Sequence, residues 1–175
     1  ASSTAALIFG GEPPGPAGIA LTEEYNGTAW SETGDLNQAR YNISGLGITT
    51  ATLACAGSEP QASKGAYVEE FNGTTWSEKT ALNTARHNAA QNGAGTTTAA
   101  LIVGGFATAY TGVTESYDGS TWTEVADLAT ARGNSYGGGT QAAAIVSDGS
   151  PPAGGLTITE EWTDPVYAVK TVTVS

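Results

Sequence analysis

Short apolar stretches alternate along the whole chain with glycine- and threonine-rich breaks, and no segment sustains an apolar period of 3.6. That pattern predicts short β-strands joined by turns, with helix nowhere beyond a turn or two. Four kinds of strand signal follow one another. Arg86-His87-Asn88-Ala89-Ala90 reads as a first strand rich in small residues, and Ala99-Ala100-Leu101-Ile102-Val103-Gly104-Gly105 as an apolar second. Val68-Glu69-Glu70-Phe71 reads as a third, and a fourth begins near Trp76-Ser77-Glu78. Between third and fourth, Asn-Gly or Asp-Gly predicts a two-residue type I′ hairpin, whose central residues need positive φ.

The same series recurs at a fixed period. Glu24-Tyr25-Asn26-Gly27-Thr28-Ala29-Trp30 returns as Glu70-Phe71-Asn72-Gly73-Thr74-Thr75-Trp76 and as Ser116-Tyr117-Asp118-Gly119-Ser120-Thr121-Trp122, so the tryptophans are spaced by 46 and 46. Each is followed by the same tail: Leu36 to Ala39-Arg40, Leu82 to Ala85-Arg86 and Leu128 to Ala131-Arg132, with Asn42, Asn88 and Asn134 two residues past the arginine. A degenerate fourth unit places Glu160-Glu161-Trp162 in the aromatic position and Thr163-Asp164-Pro165 in the turn. Repetition at this period implies stacked supersecondary units, none of which buries its own faces.

Four antiparallel strands per unit, repeated, predict an all-β fold, a β-propeller of about four blades, with approximate limits 1–38, 39–84, 85–130 and 131–175. The glycine pair, aromatic and tryptophan in Gly10-Gly11, Tyr25 and Trp30, and in Gly104-Gly105, Tyr117 and Trp122, resemble the kelch motif. The departures are a closer aromatic-to-tryptophan spacing, and Ala56-Gly57 and Ser147-Asp148-Gly149 in place of the glycine pair. Since the chain opens at a second-strand signal, Ala5-Ala6-Leu7-Ile8-Phe9, the first blade is expected to lack its inner strand. Val166 to Val174 reads as the outer strand of the last blade. Completion of the ring by earlier residues of a longer polypeptide, or by another chain, is the corresponding expectation.

The recurring aromatics, each able to bury about 150 to 250 Å², are assigned to packing between blades. Arg40, Arg86 and Arg132 recur as strictly, and a buried arginine requires carboxylate or carbonyl partners. Glu23-Glu24, Glu69-Glu70, Glu115 and Glu160-Glu161 can supply them, so a structural ion-pair ring is expected.

Composition narrows the chemistry. Seventeen Asp and Glu against six Lys and Arg give a formal net charge of −11, which repels phosphate backbones and anionic lipid, so neither nucleic acid nor membrane insertion is expected. The single cysteine, Cys55, lies among Leu53, Ala54 and Ala56 and reads as a small core residue. Some kelch-like proteins resemble galactose oxidase, whose copper site requires two histidines, two tyrosines and a cysteine; with only His87 and Cys55, this chain cannot complete one, and no cofactor is expected. Adjacent glutamates in a strand point to opposite faces and make a poor acid–base dyad. The glycine runs lead into strands, which removes a dinucleotide or P-loop reading. Asn26, Asn42 and Asn72 match the glycosylation sequon, and Asn26 and Asn72 are accounted for by turn geometry.

Binding is therefore the function to look for. Links between first and second strands, such as Gly45-Leu46-Gly47 and Gly137-Gly138-Gly139, are nearly constant, whereas links between second and third strands differ in every unit. Variable loops on a rigid scaffold are the usual place for recognition. The candidate ligand-binding residues are Glu12, Glu59, Lys64, Phe106 and Tyr110 on these loops, with His87, Asn88 and Asn134 near the channel mouth. The low-charge Thr/Gly/Ala-rich repeats and the terminal Trp-Thr-Asp-Pro and Lys-Thr-Val-Thr-Val-Ser are similar to kelch-like repeat proteins among marine bacteriophage structural proteins. That resemblance implies a non-catalytic virion component, a tail, fibre or capsid-surface adhesin at the virion or outside cells, contacting host glycan or another virion protein. An accessory propeller of a secreted carbohydrate-active enzyme, and an intracellular kelch scaffold for protein partners, are the alternatives.

Overall fold

The computed structural model describes residues 4–14, 18–59, 65–150, 155 and 157–164. Among them lie fourteen strands and no helix, arranged as four antiparallel sheets of consecutive strands. Sheet 1 holds β1 (Ala6–Phe9), β2 (Thr22–Tyr25) and β3 (Trp30–Glu32); sheet 2 holds β4 (Ser44–Ile48), β5 (Ala51–Cys55), β6 (Val68–Phe71) and β7 (Trp76–Glu78). Sheet 3 holds β8 (Ala94–Thr96), β9 (Ala99–Phe106), β10 (Tyr110–Tyr117) and β11 (Trp122–Val125), and sheet 4 holds β12 (Tyr136–Gly139), β13 (Ala143–Ser147) and β14 (Thr159–Thr163). Sheet 1 has three strands, as the opening second-strand signal predicts, with β1 at its edge. The expected outer strand of the last unit, residues 166–174, lies outside the described residues.

Two local expectations are corrected. Arg86 to Ala90 is not a strand: His87 forms only an isolated bridge to Phe106, and Asn88 turns into the left-handed region at φ 53, so an extended run cannot pass through it. The inner strands instead contain the glycine-rich segments read as links. Small residues are needed there because neighbouring units crowd in; a Cβ on Gly45 would lie 2.8 Å from Phe9 Cζ, and one on Gly137 would lie 2.4 Å from the Asn92 carbonyl.

The second correction concerns the hairpins. Phe71 stands opposite Trp76, leaving a four-residue loop, and of the two central residues only Gly73 has positive φ, so this is not a type I′ turn. The asparagine works through its side chain. Asn72 Oδ1 accepts the N–H groups of Thr74 and Thr75 at 3.0 and 2.9 Å, and Asn26 does the same for Thr28 and Ala29. Asp118 goes further, taking the N–H and hydroxyl groups of both Ser120 and Thr121. This geometry also explains the short aromatic-to-tryptophan spacing. The two are direct cross-strand partners, with Phe71 and Trp76 rings 5.0 Å apart and Tyr117 and Trp122 stacked at 4.6 Å.

The core lies between sheets. Phe9 of sheet 1 meets Trp76 of sheet 2 edge-on at 4.9 Å; Leu82 and Cys55 share a cluster with Tyr117 and Trp122; Leu128 packs beside Trp162, Ala144 and Val146. Each tryptophan thus leans on the unit before it. Two of the indole N–H groups do so too, Trp76 donating to Thr22 Oγ1 and Trp122 to the Thr80 carbonyl, whereas Trp162 donates to the Gln141 carbonyl within its own unit. Trp30, expected to pack in the same way, is 46% exposed, against 6% for Trp76 and Trp122, because no described unit precedes sheet 1.

Arg40, Arg86 and Arg132 join the units together. The backbone of Arg40 belongs to sheet 1, receiving the Gly11 N–H and donating to the Ile19 carbonyl. Its fully buried side chain belongs to sheet 2, where it donates to the carbonyls of Ala54, Ala56 and Tyr67 and pairs with Glu69 at 3.1 Å. Arg86 pairs likewise with Glu115, and Arg132 with Glu160 at 2.9 Å. The same carboxylates accept a backbone N–H of the preceding tail: Asn37 to Glu69, Asn83 to Glu115 and Ala129 to Glu160, each at 2.7 Å. Burial lowers the Arg40 guanidinium pKa, with Glu69 opposing the shift. Glu70, one residue on, faces the other way and meets the half-exposed Lys79.

Removing one partner of a buried pair strands the other charge, so Arg86→Ala should lower stability by about 3–5 kcal/mol in urea denaturation. Lys79→Ala, at the half-exposed pair, should cost less than about 1 kcal/mol in the same measurement. A second expectation concerns acid. The turn hydrogen bonds, the Thr121 N–H first, hold the Asp118 carboxyl well below the usual carboxylate range. A depressed folded pKa stabilises fully above the unfolded value of about 4 and is lost as pH falls through the lower folded value. Asp118→Asn should keep the neutral-pH thermal midpoint, since asparagine serves at the two equivalent turns, and should lose less of it on acidification to about pH 2.

Candidate functional site

The inner segments of the sheets line a cavity of about 890 Å³. Its wall includes β1 together with the glycine-rich inner strands, and its polar groups include Asn42, Asn88 and Asn134. These asparagines occupy the same place in three units, at φ 56, 53 and 53, and they are linked in series: the Asn134 N–H donates to the Asn88 carbonyl at 2.8 Å and the Asn88 N–H to the Asn42 carbonyl at 3.2 Å. Asparagine suits both tasks, because it tolerates the left-handed region and leaves an amide able to donate and accept. Asn42 belongs with the predicted pair. The signal for it was present, since it too follows an arginine by two residues.

Beside this asparagine series, the loops between second and third strands emerge. Each follows a pair of positive-φ residues; in sheet 3 that pair, Gly104-Gly105, lies within β9, so Phe106 and Tyr110 are the paired strand ends flanking a loop of residues 107–109 rather than loop residues as expected, and the Gly105 N–H donates to the Arg132 carbonyl. Ala56 and Asp148 adopt the same left-handed conformation at φ 61 and 56, which is why the units lacking a full glycine pair keep the same loop origin. Immediately after it, Phe106 pairs with His87 through two backbone hydrogen bonds of 3.1 and 2.7 Å. Equivalent bridges join Tyr41 to Ser58 and Gly133 to Ser150, so variable loops and arginine-following segments share one face, as expected.

Three predicted residues come together there. His87 and Phe106 rings lie 5.3 Å apart, and Phe106 meets Tyr110 edge-on at 5.2 Å, forming a half-buried aromatic cluster on sheet 3 alone. Gly133, not among the predicted residues, makes room for it. A Cβ there would stand 3.3 Å from Tyr110 Cδ1 and 2.9 Å from the Asn88 carbonyl, and a side chain such as Tyr41 or His87 in the equivalent positions would displace the ring.

The acidic candidates stand apart. Glu59 receives the Tyr67 hydroxyl, which raises the Tyr67 pKa, while Glu12 is exposed. Lys64 lies outside the described residues. Among the described residues no group of three or more His, Cys, Asp or Glu is placed to hold a metal ion. Cys55 is fully buried, and burial pushes its thiol up to about 12, with Arg40 and Arg86 only partly opposing.

No family model matches the chain, and no curated protein matches it. What fold and site together define is an all-β protein of four antiparallel sheets, with a polar cavity and one aromatic cluster beside its asparagines.

The two roles of the asparagines separate experimentally. Asn88→Gly preserves the left-handed backbone and should leave urea-denaturation stability within about 0.5 kcal/mol, whereas Asn88→Ala should cost about 1–2 kcal/mol.

Proposed function

We propose that the four sheets are kelch-like propeller blades and that the protein is a non-catalytic recognition module, a virion-surface adhesin whose ligand is a host glycan. The observation carrying this reading is the His87–Phe106–Tyr110 cluster beside Asn88 and Asn134, all on the face of the variable loops. Aromatic faces stack on the apolar C–H faces of sugar rings, and neighbouring amides satisfy hydroxyls as both donors and acceptors. The repeated scaffold holds that combination rigidly, and the third unit is where three aromatic rings come together among the described residues. The net charge of −11 favours neutral over anionic sugars. The placement at the virion or outside cells rests on the Thr/Gly/Ala-rich, low-charge character of the repeats, which resembles that of phage structural proteins.

A neutral-glycan array tests this. Binding should appear for a restricted set of glycans, and Tyr110→Ala and Phe106→Ala should each weaken it about tenfold or more, roughly 1.4 kcal/mol. Glycan binding unchanged by both substitutions, or no glycan bound at all, would reject the reading.

A further inference from the structure

Sheet 1 carries the receiving half of a junction whose inserting half is missing among the described residues. At the three complete junctions the parts are constant. A tail leucine packs near the next unit's tryptophan, an arginine four residues later reaches a glutamate on that unit's third strand, and the residue after the leucine gives its N–H to the same glutamate. Asn37 and Asn83 add a side-chain bond to the carbonyl of that tryptophan. The tail then runs on into the inner strand, which pairs with the second strand of the unit it has entered.

Sheet 1 repeats every receiving element. Glu23 occupies the register position of Glu69 and Glu115: it stands opposite Ile8 and Glu32, as Glu69 stands opposite Ala54 and Glu78. Yet no hydrogen bond or ion pair reaches the Glu23 carboxylate from any described residue, whereas the carboxylates of Glu69 and Glu115 are each engaged by an arginine and a backbone N–H. Trp30, opposite Tyr25 as Trp76 is opposite Phe71, is 46% exposed. β1 is the edge of its sheet on the side where β5, β9 and β13 have an inner strand, and that edge faces the cavity.

We propose that sheet 1 is a docking site for the tail of a like repeat unit: a peptide of the form Leu-Asn-x-Ala-Arg continuing into a small-residue strand. Arginine would pair with Glu23, leucine would cover Trp30, and the strand would add to the edge of β1, which no described strand pairs. The charge, spacing and strand all follow from the chain's own junctions, and none depends on the ligand-face reading. A second copy of the chain does not qualify, because Arg40, Arg86 and Arg132 are already engaged. Residues 165–175 contain no arginine and cannot supply the guanidinium.

The probe is a synthetic peptide of residues 34–48, which holds Leu36, Arg40 and the β4 strand. It is titrated against the full chain by anisotropy to about millimolar, and is also joined ahead of residue 1 through a Gly/Ser linker, which supplies a millimolar effective concentration. Saturable binding, or a raised thermal midpoint in the joined form, is expected. Either signal should weaken about tenfold or more with Glu23→Gln in the protein or Arg40→Ala in the peptide, and stay unchanged with Glu24→Gln, which faces the other way. Absence of both signals overturns the proposal. So does any signal indifferent to Glu23 and to the peptide arginine, since that would be unspecific edge pairing.

Discussion

A buried arginine whose backbone belongs to one sheet and whose guanidinium belongs to the next sets the arrangement of this protein. Burying an arginine carries a desolvation cost of several kcal/mol, and an isolated one would not stay buried. Here the cost is offset by a glutamate and at least one carbonyl acceptor in each case, and the same glutamate closes the tail by accepting its N–H. Such a clamp has steep distance requirements. It fixes how far apart neighbouring sheets sit and how they are rotated, where apolar packing alone would tolerate sliding.

Other repeated features follow from serving that clamp. In the two units with a full glycine pair the second-strand loop approaches the arginine carbonyl so closely that a Cβ does not fit, one on Gly104 lying 2.5 Å from the Arg132 carbonyl and one on Gly10 2.6 Å from that of Arg40, whereas Ala56 and Asp148 hold the same left-handed turn with a side chain. The backbone must then turn sharply to enter the next sheet's inner strand, and an asparagine in the left-handed region provides the turn. The tryptophan needs the preceding unit's tail leucine as cover. Each unit is therefore incomplete alone, and stability is shared along neighbours, as in other repeat proteins.

This division of labour also locates function. Arginine, glutamate, glycine pair and tryptophan are consumed by the junctions, so their recurrence carries no information about a ligand, whereas the asparagines both turn the backbone and line the cavity. What remains is where the units differ. The third unit alone has His87, Phe106 and Tyr110 on the loop face, with Gly133 of the fourth unit yielding space to the tyrosine. The loops can vary because the clamp lies beneath them and does not depend on their sequence.

The sequence by itself determined the repeat, the all-β class, the third and fourth strands, the hairpins between them, the arginine–glutamate pairing and the incomplete first sheet. All are legible because each follows from local pattern multiplied by repetition: an Asn-Gly between apolar runs, or a charge recurring where charge is costly. Only the tertiary structure decided where the inner strand begins, since Gly45 and Gly137 read as linker until neighbouring units press against them, and Asn88 reads as strand until its backbone turns. It alone decided that Glu69 faces inward and Glu70 outward, and that Trp30 differs from its two counterparts. Burial of that tryptophan depends on what stands beside the unit, a property that no residue within the unit encodes.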